Sequence, residues 1–249
     1  MVKEVEQLRI NPADYAYEIT KTGKRDDSVV SHRIYRQKQE GLYYVEYHPV
    51  GGDANVEHLL AALDYAVTLD QVEARIAPDQ SLYFINLTAD EARKIADLTD
   101  DSAINEFRRS VSCVGSTVCQ IGIQDSNGLL KAIFTHLEAK GVDTRKLPRL
   151  HISGCPHSCG THQIGEIGFH GSVKLVDKKP TVSFMLVDGG SEHMGSENFG
   201  KMAGHIVATK IPEFMEALAN KLNEAPEPDF GTWRLTHKGE YMELIKAFE

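Results

Sequence analysis

Four cysteines occur in this chain of 249 residues, and they form two tight pairs: Cys113 and Cys119 in "SCVGSTVC", Cys155 and Cys159 in "SGCPHSC". Unrelated buried thiols would scatter along the chain, so pairing implies that these act together. Both pairs lie in loops containing Gly, Ser or Pro, one before a predicted helix and one after a predicted strand. Such loops can curl until several thiolates meet at one centre. A cubane cluster needs four cysteinates spread around a volume larger than a single ion, which suits five-residue and three-residue gaps. Structural zinc favours pairs two to four residues apart. Disulfides, with three connectivities open to four cysteines, belong to oxidising compartments. The spacing therefore favours an iron–sulfur cluster over zinc or disulfides, and it names no reaction.

Composition narrows the setting. The net charge of -9 argues against a nucleic-acid binder, which would present a basic face. It also gives no general attraction to an anionic substrate, so an anion site needs local cations. No 18 consecutive apolar residues occur, so no membrane-spanning helix is expected. The opening "MVKEVEQLRINPADYAYEIT" alternates charges and lacks the apolar core of a signal peptide. The expectation is a cytoplasmic protein.

Hydrophobic patterning predicts four segments. Residues 1–40 read as a polar entry segment with at most one short strand. Residues 41–100 read as β-α-β-β-α, a ferredoxin-like half-domain. Within it, "GLYYVEYHPV" is a strand, and Val56, Leu59, Leu60, Leu63 and Val67 share one helix face after an Asp53 or Asn55 cap. Two strands flank Pro78-Asp79, and Thr88 with Glu91 gives the spacing of a capping box. Residues 101–225 read as an α/β domain. It has a helix burying Leu129, Leu130, Ile133, Phe134 and Leu137, with Gly141 at its end, and a strand at "LPRLHISG". A hairpin turning at Asp177–Pro180 and a helix with Pro212 in its first turn follow. Residues 226–249 read as a Pro-rich connector and a helical tail. The fold class expected is α+β.

The segments "SCVGSTVCQIGIQDS" and "LHISGCPHSCGTHQIGEIGFHG" closely resemble the siroheme and 4Fe-4S domain of the nitrite and sulfite reductase family. "GLYYVEYHPVGGD" and "RIAPDQSLYFINLT" are similar to the ferredoxin-like half-domain that precedes it there. The resemblance covers about residues 35–225 and concerns the second, cluster-binding half of that family. It implies a ferredoxin-like half-domain followed by a siroheme/4Fe-4S-binding domain. It implies that Cys113, Cys119, Cys155 and Cys159 ligate a 4Fe-4S cluster, and that the Cys159 sulfur is also the axial ligand of the siroheme iron. Sharing one sulfur joins the two cofactors without a gap for electrons to cross. Family members commonly have asparagine after the Cys-Pro, near a siroheme carboxylate; here His157 stands there. Pro156 fixes the loop, while Gly154 and Gly160 either admit the cofactors or serve as turn glycines.

The implied activity is the six-electron reduction of nitrite to ammonia or of sulfite to sulfide, with electrons from a donor such as ferredoxin. In the family, the cations that grip the anion come mainly from the first half, which is not found here. A homodimer or a separate first-half subunit would supply them. Local candidates are Arg33, Arg36 and Lys38 before the first strand, and Arg108 and Arg109 before Cys113, each also readable as a solvated charge. His151, His157, His162 and His170 are candidate proton donors, although alternation turns His151 and Ile152 to opposite faces. Structural histidines remain the simpler reading, as does strand packing for Tyr43, Tyr44 and Tyr47. No catalytic residue is assigned. The alternatives are a half that binds cofactors for electron transfer or regulation without turnover, and a zinc-stabilised binding module.

Overall fold

The computed structural model describes residues 18–249, so the opening residues whose charge pattern was read above lie largely outside it. The chain divides into two compact units. One holds the described residues up to Glu46 with Leu59–Ile76 and Leu82–Asp100; the other holds Tyr47–His58, Ala77–Ser81 and Asp101–Glu249. Among the described residues there are six α-helices and two sheets.

The first sheet has the order β1 (Ile34–Arg36), β2 (Tyr43–Tyr47), β4 (Leu82–Leu87), β3 (Glu73–Ile76). With α1 (Val56–Ala66) and α2 (Ala89–Leu98) it gives the β-α-β-β-α order anticipated from the sequence, preceded by one short strand. Helix α2 begins as its capping box dictates: the Thr88 N–H donates to Glu91 Oε2 at 2.8 Å. Its other end is closed by Arg33, which donates to the carbonyls of Ala96 and Thr99 at 2.6 and 2.7 Å. Arg33 is thus a helix cap, and Arg36 pairs with Asp27; neither is set aside for an anion. The helix-face assignment for α1 needs correction. Val56, Leu60 and Val67 are exposed, whereas Leu59 and Leu63 are half-buried on the face that buries Ala62 and Ala66. Small residues let a helix approach its neighbour closely, and the bulkier Leu59 and Leu63 flank that approach.

The second sheet has the order β5 (Val111–Ser112), β6 (Leu150–Ser153), β7 (Ile167–Val176), β8 (Lys179–Asp188), β9 (Lys201–Val207). The first three strands are parallel and the last two join antiparallel. The β7–β8 turn is tighter than expected. Val176 pairs with Lys179, leaving Asp177 and Lys178 as a two-residue loop with φ of 50° and 65°, the backbone of a type I′ hairpin.

Alternation gives this sheet two different faces. Ile152, Ile167, Phe169, Phe184, Leu186 and Ile206 project into one apolar core. There they meet α3 (Ser126–Ala139), α4 (Ile211–Glu224), α5 (Phe230–Thr236) and α6 (Lys238–Phe248), the last two contributing the buried Trp233 and Tyr241. On the opposite face His151, Ser153, His170 and Ser183 are buried polar groups. They lie under chain rather than helix. Parallel strands need a long crossover, usually helical, and α3 serves this purpose between β5 and β6. Between β6 and β7 the crossover is the irregular segment 154–166, which carries the second cysteine pair and lies flat on the strands it joins. Glycine permits that contact. A Cβ on Gly160 would stand 2.0 Å from the Ile152 carbonyl oxygen, and one on Gly168 would stand 1.9 Å from that of His162.

The histidines at this buried face are hydrogen-bonded, and burial keeps His151 and His162 neutral. His151 Nδ1 lies 2.8 Å from Thr161 Oγ1 and His162 Nδ1 lies 2.9 Å from Ser153 Oγ. The His162 and His170 rings are 4.8 Å apart. Burial, then the Arg149 charge, pushes His151 down to about 4. Burial, then His170, does the same for His162. His48, also buried, is held at about 4 by burial and then by Arg109 and Arg149. At neutral pH these imidazoles carry no spare proton, which favours the structural reading for His151 and His162.

Two expectations follow. An unfolded histidine binds its proton near pH 6.5, whereas these three refuse it until about 4. Unfolding free energy should therefore fall as pH drops from 6.5 to 4 and level off below, by at most ~3 kcal/mol per imidazole. Urea denaturation at stepped pH measures this, and His151→Gln should flatten the slope. Gly160→Ala, which forces a methyl into a carbonyl, should cost more than ~2 kcal/mol, read as a lowered thermal midpoint.

Candidate functional site

All four cysteines belong to the second unit. Cys113 directly follows β5, and Cys155 follows β6 after a single glycine, Gly154. The two strands are parallel neighbours, with Val111 opposite His151 and Ser112 opposite Ile152. Both cysteine pairs therefore leave the carboxyl ends of adjacent parallel strands, the edge where open α/β sheets place their ligands.

Backbone hydrogen bonds lace the two loops together. The Cys113 N–H donates to Ile152 O at 3.0 Å, and the Gly154 N–H donates to Cys113 Sγ at 3.1 Å. Gly154 O in turn accepts from the N–H groups of Ile123 and Gln124 at 3.1 and 2.8 Å. Cys119 is brought back toward this junction by a turn at Gly115, whose φ is 68° and whose carbonyl accepts the Cys119 N–H at 2.9 Å. In the second loop Ser158 takes a φ of 60°, and the Gly160 N–H is held by Ser153 Oγ at 3.1 Å. Between these bends lies Cys159. It is exposed, Cys155 is buried, and Cys113 and Cys119 are partly buried. None of the four forms a disulfide.

The role of the two glycines is now defined by space. A Cβ on Gly154 would stand 2.5 Å from the Gln124 carbonyl oxygen, and Gly160 faces Ile152 as described. Both are required by the protein's own backbone, whatever lies beyond it.

The two loops themselves are uncharged, and the carboxylate that borders them is that of Asp125, which accepts the Gly128 N–H at the amino end of α3. Residues 110–124 and 150–165 contain no Asp, Glu, Lys or Arg, in a chain of net charge -9. Val114, Val118, Ile121 and Ile123 are nevertheless exposed around the first pair. His157 is exposed too, and its Nδ1 lies 3.3 Å from Cys155 Sγ. The amino end of α3 approaches the same junction, with Ser126 Oγ 3.1 Å from Cys113 Sγ. Helix amino ends favour negative charge. Among the described residues no three cysteine sulfurs lie within 4.8 Å of one another. A single tetrahedral zinc with Zn–S near 2.3 Å would need its sulfurs roughly 3.8 Å apart, so a preformed site for one ion is not seen.

The cations lie elsewhere. Arg108 pairs with Glu138 and covers the Phe134 ring at 4.8 Å. Arg109 and Arg149 precede β5 and β6, at the strand ends opposite the thiols. They share Glu106 at 3.2 Å each and flank Asp79 at 3.9 and 3.8 Å. Arg149 also reaches Glu192 at 3.5 Å and lines a cavity of about 310 Å³ with His151, Glu166 and Asp229. This carboxylate-bound arginine pair was not foreseen, because residues 79, 109 and 149 meet only through the strand order.

No family model matches the chain. The chain is 31% identical over 193 residues to the ferredoxin–nitrite reductase of Synechococcus elongatus, covering 74% of this chain and 37% of that protein. It is 28% identical over 124 residues to the sulfite reductase (NADPH) hemoprotein beta-component of Lysinibacillus sphaericus, covering 45% of this chain and 22% of that one. In structure it is similar to the NirA protein of Mycobacterium tuberculosis, with a TM-score of 0.64, 21% identity, and coverage of 83% of this chain and 40% of that one. The chain thus spans 37% of the length of the first of these relatives and 22% of the second. Within that span the agreement of sequence and fold is consistent, and the chain belongs to the nitrite and sulfite reductase family.

Proposed function

We propose that Cys113, Cys119, Cys155 and Cys159 hold a 4Fe-4S cluster, that Cys159 also ligates a siroheme iron, and that the chain serves the six-electron reduction of nitrite to ammonia or sulfite to sulfide. The observation that carries this reading is the junction of the two cysteine loops at the carboxyl ends of β5 and β6, tied by the Gly154 N–H on Cys113 Sγ. The donor set fits: four thiols, no disulfide, and no three sulfurs as close as one ion requires. The exposure pattern fits as well, because a sulfur shared with a second cofactor must be the accessible one, and that is Cys159. When bound, the siroheme and cluster would supply electrons to an anion at the open iron position. The chain's own residues hold the thiolates in place, and the exposed Val114, Val118, Ile121 and Ile123 form an apolar rim that such cofactors would cover. Nitrite as substrate and ferredoxin as donor are suggested by the first of the relatives, and a cytoplasmic setting keeps the thiols reduced.

A second reading has its own support. Arg108, Arg109 and Arg149 are bound to carboxylates, and the chain spans only part of its relatives. A cofactor-binding half without turnover, or one completed by a second copy or another subunit, accords with both facts.

Three experiments test these readings. Holoprotein purified anaerobically with its siroheme should show a Soret band, iron and acid-labile sulfide; zinc without iron or sulfide ends the proposal. Given reduced methyl viologen, it should consume nitrite or sulfite, and consumption of neither leaves the half without turnover. Cys159→Ser should abolish the siroheme spectrum or shift it, whereas Cys113→Ser should mainly lower iron and sulfide content. An unchanged haem spectrum in Cys159→Ser would refute the shared sulfur.

A further inference from the structure

Two of the four cysteine sulfurs already have hydrogen-bonding partners within this chain. Cys113 Sγ receives the Gly154 N–H at 3.1 Å, a contact fixed by the backbone. It also lies 3.1 Å from Ser126 Oγ, but that hydroxyl donates its proton to the Cys113 carbonyl at 2.8 Å. Cys155 Sγ differs. Its partner is a side chain, the His157 imidazole, with Nδ1 at 3.3 Å. Among the described residues that ring hydrogen-bonds to this sulfur alone. Pro156 stands between the two residues and fixes the turn that presents the ring to the sulfur. The ring is exposed and packs in no core, so the fold does not account for it.

A metal-ligating thiolate can only accept, so the contact selects the tautomer with hydrogen on Nδ1. A donor on a ligand sulfur favours the more negative, reduced state of an iron–sulfur cluster and raises its potential. Segments 110–124 and 150–165 carry no charged side chain of their own, which leaves such N–H dipoles as the nearest electrostatic control within the loops.

We infer that His157 is a positioning residue that raises the reduction potential of the cluster by donating its Nδ1–H to the Cys155 sulfur. This rests on the cluster reading proposed above. The step involved is a one-electron reduction of the cluster by an external reductant; no covalent bond is made and no proton is transferred.

The test uses the full chain loaded anaerobically with ferrous iron and sulfide, titrated with dithionite and followed by electron paramagnetic resonance. His157→Leu should disfavour the reduced state about tenfold, which is a fall of about 59 mV for one electron. His157→Asn and His157→Gln, which keep an N–H donor on a side chain at that position, should restore most of the difference. A His157→Leu protein with wild-type iron and sulfide content and an unchanged potential overturns the inference and leaves the cluster reading intact. If Asn and Gln shift the potential as far as Leu does, hydrogen-bond donation is refuted. If the wild-type chain takes up no cluster, the functional proposal itself falls.

Discussion

Everything about this site depends on the parallel pairing of β5 with β6. Two register pairs define it, Val111 with His151 and Ser112 with Ile152, and a strand that short is weak alone. Its neighbours compensate. Ser110 Oγ accepts the Leu150 N–H at 2.9 Å, and the Cys113 N–H continues the ladder to Ile152 O. Just upstream, Phe107 is buried edge-on against Phe134 of α3 at 5.4 Å. The helix that follows the first cysteine loop thus anchors the strand that precedes it. Thiols more than thirty residues apart in sequence are brought to one edge by the crossover geometry of β5, α3 and β6.

The flat crossover between β6 and β7 sets a second constraint. A helix there would have stood off the sheet and covered it with apolar side chains. The irregular segment 154–166 instead brings backbone against backbone, which demands glycine at the contacts and polar partners for the groups beneath. That accounts for buried serines and histidines on one face of a sheet whose other face carries the apolar core. The histidine-rich wording of this stretch is therefore a consequence of how the loop is laid down.

Much of this was legible in the sequence, for local reasons. The cysteine spacings, the α2 capping box, the apolar face of α3, Gly141 at its end with φ of 64° and the proline of α4 are all encoded within a few residues. What was missed depends on distant partners. Strand β9 has no clear alternation because Gly204 sits where a Cβ would meet Ile245 of α6 at 2.5 Å. β5 is too short to show a period. The α1 stripe of Val56, Leu60 and Val67 was read by its hydrophobicity, yet the buried face is the alanine one. Local sequence also said nothing of Arg149, which becomes an ion-pair hub only because β5 and β6 start side by side.

The distribution of charge bears most directly on chemistry. On the proposed reading an oxyanion must be drawn to a chain of net charge -9, and attraction in water falls off within about 8 Å at physiological salt. Only cations beside the site can provide it. Arg109 and Arg149 stand at the far ends of the strands that deliver the thiols and bind Glu106 and Asp79. Arg108 is tied to Glu138. Redirecting any of them would strip a carboxylate of its partner, a cost that grows as the pair is buried. The loops that carry the sulfurs thus have no Lys or Arg of their own, and the carboxylate of Asp125 borders them. On the proposed reading the charge of a cluster there would be met by N–H groups such as that of Gly154, and the positive charge needed to hold an anion has to be contributed from outside these loops.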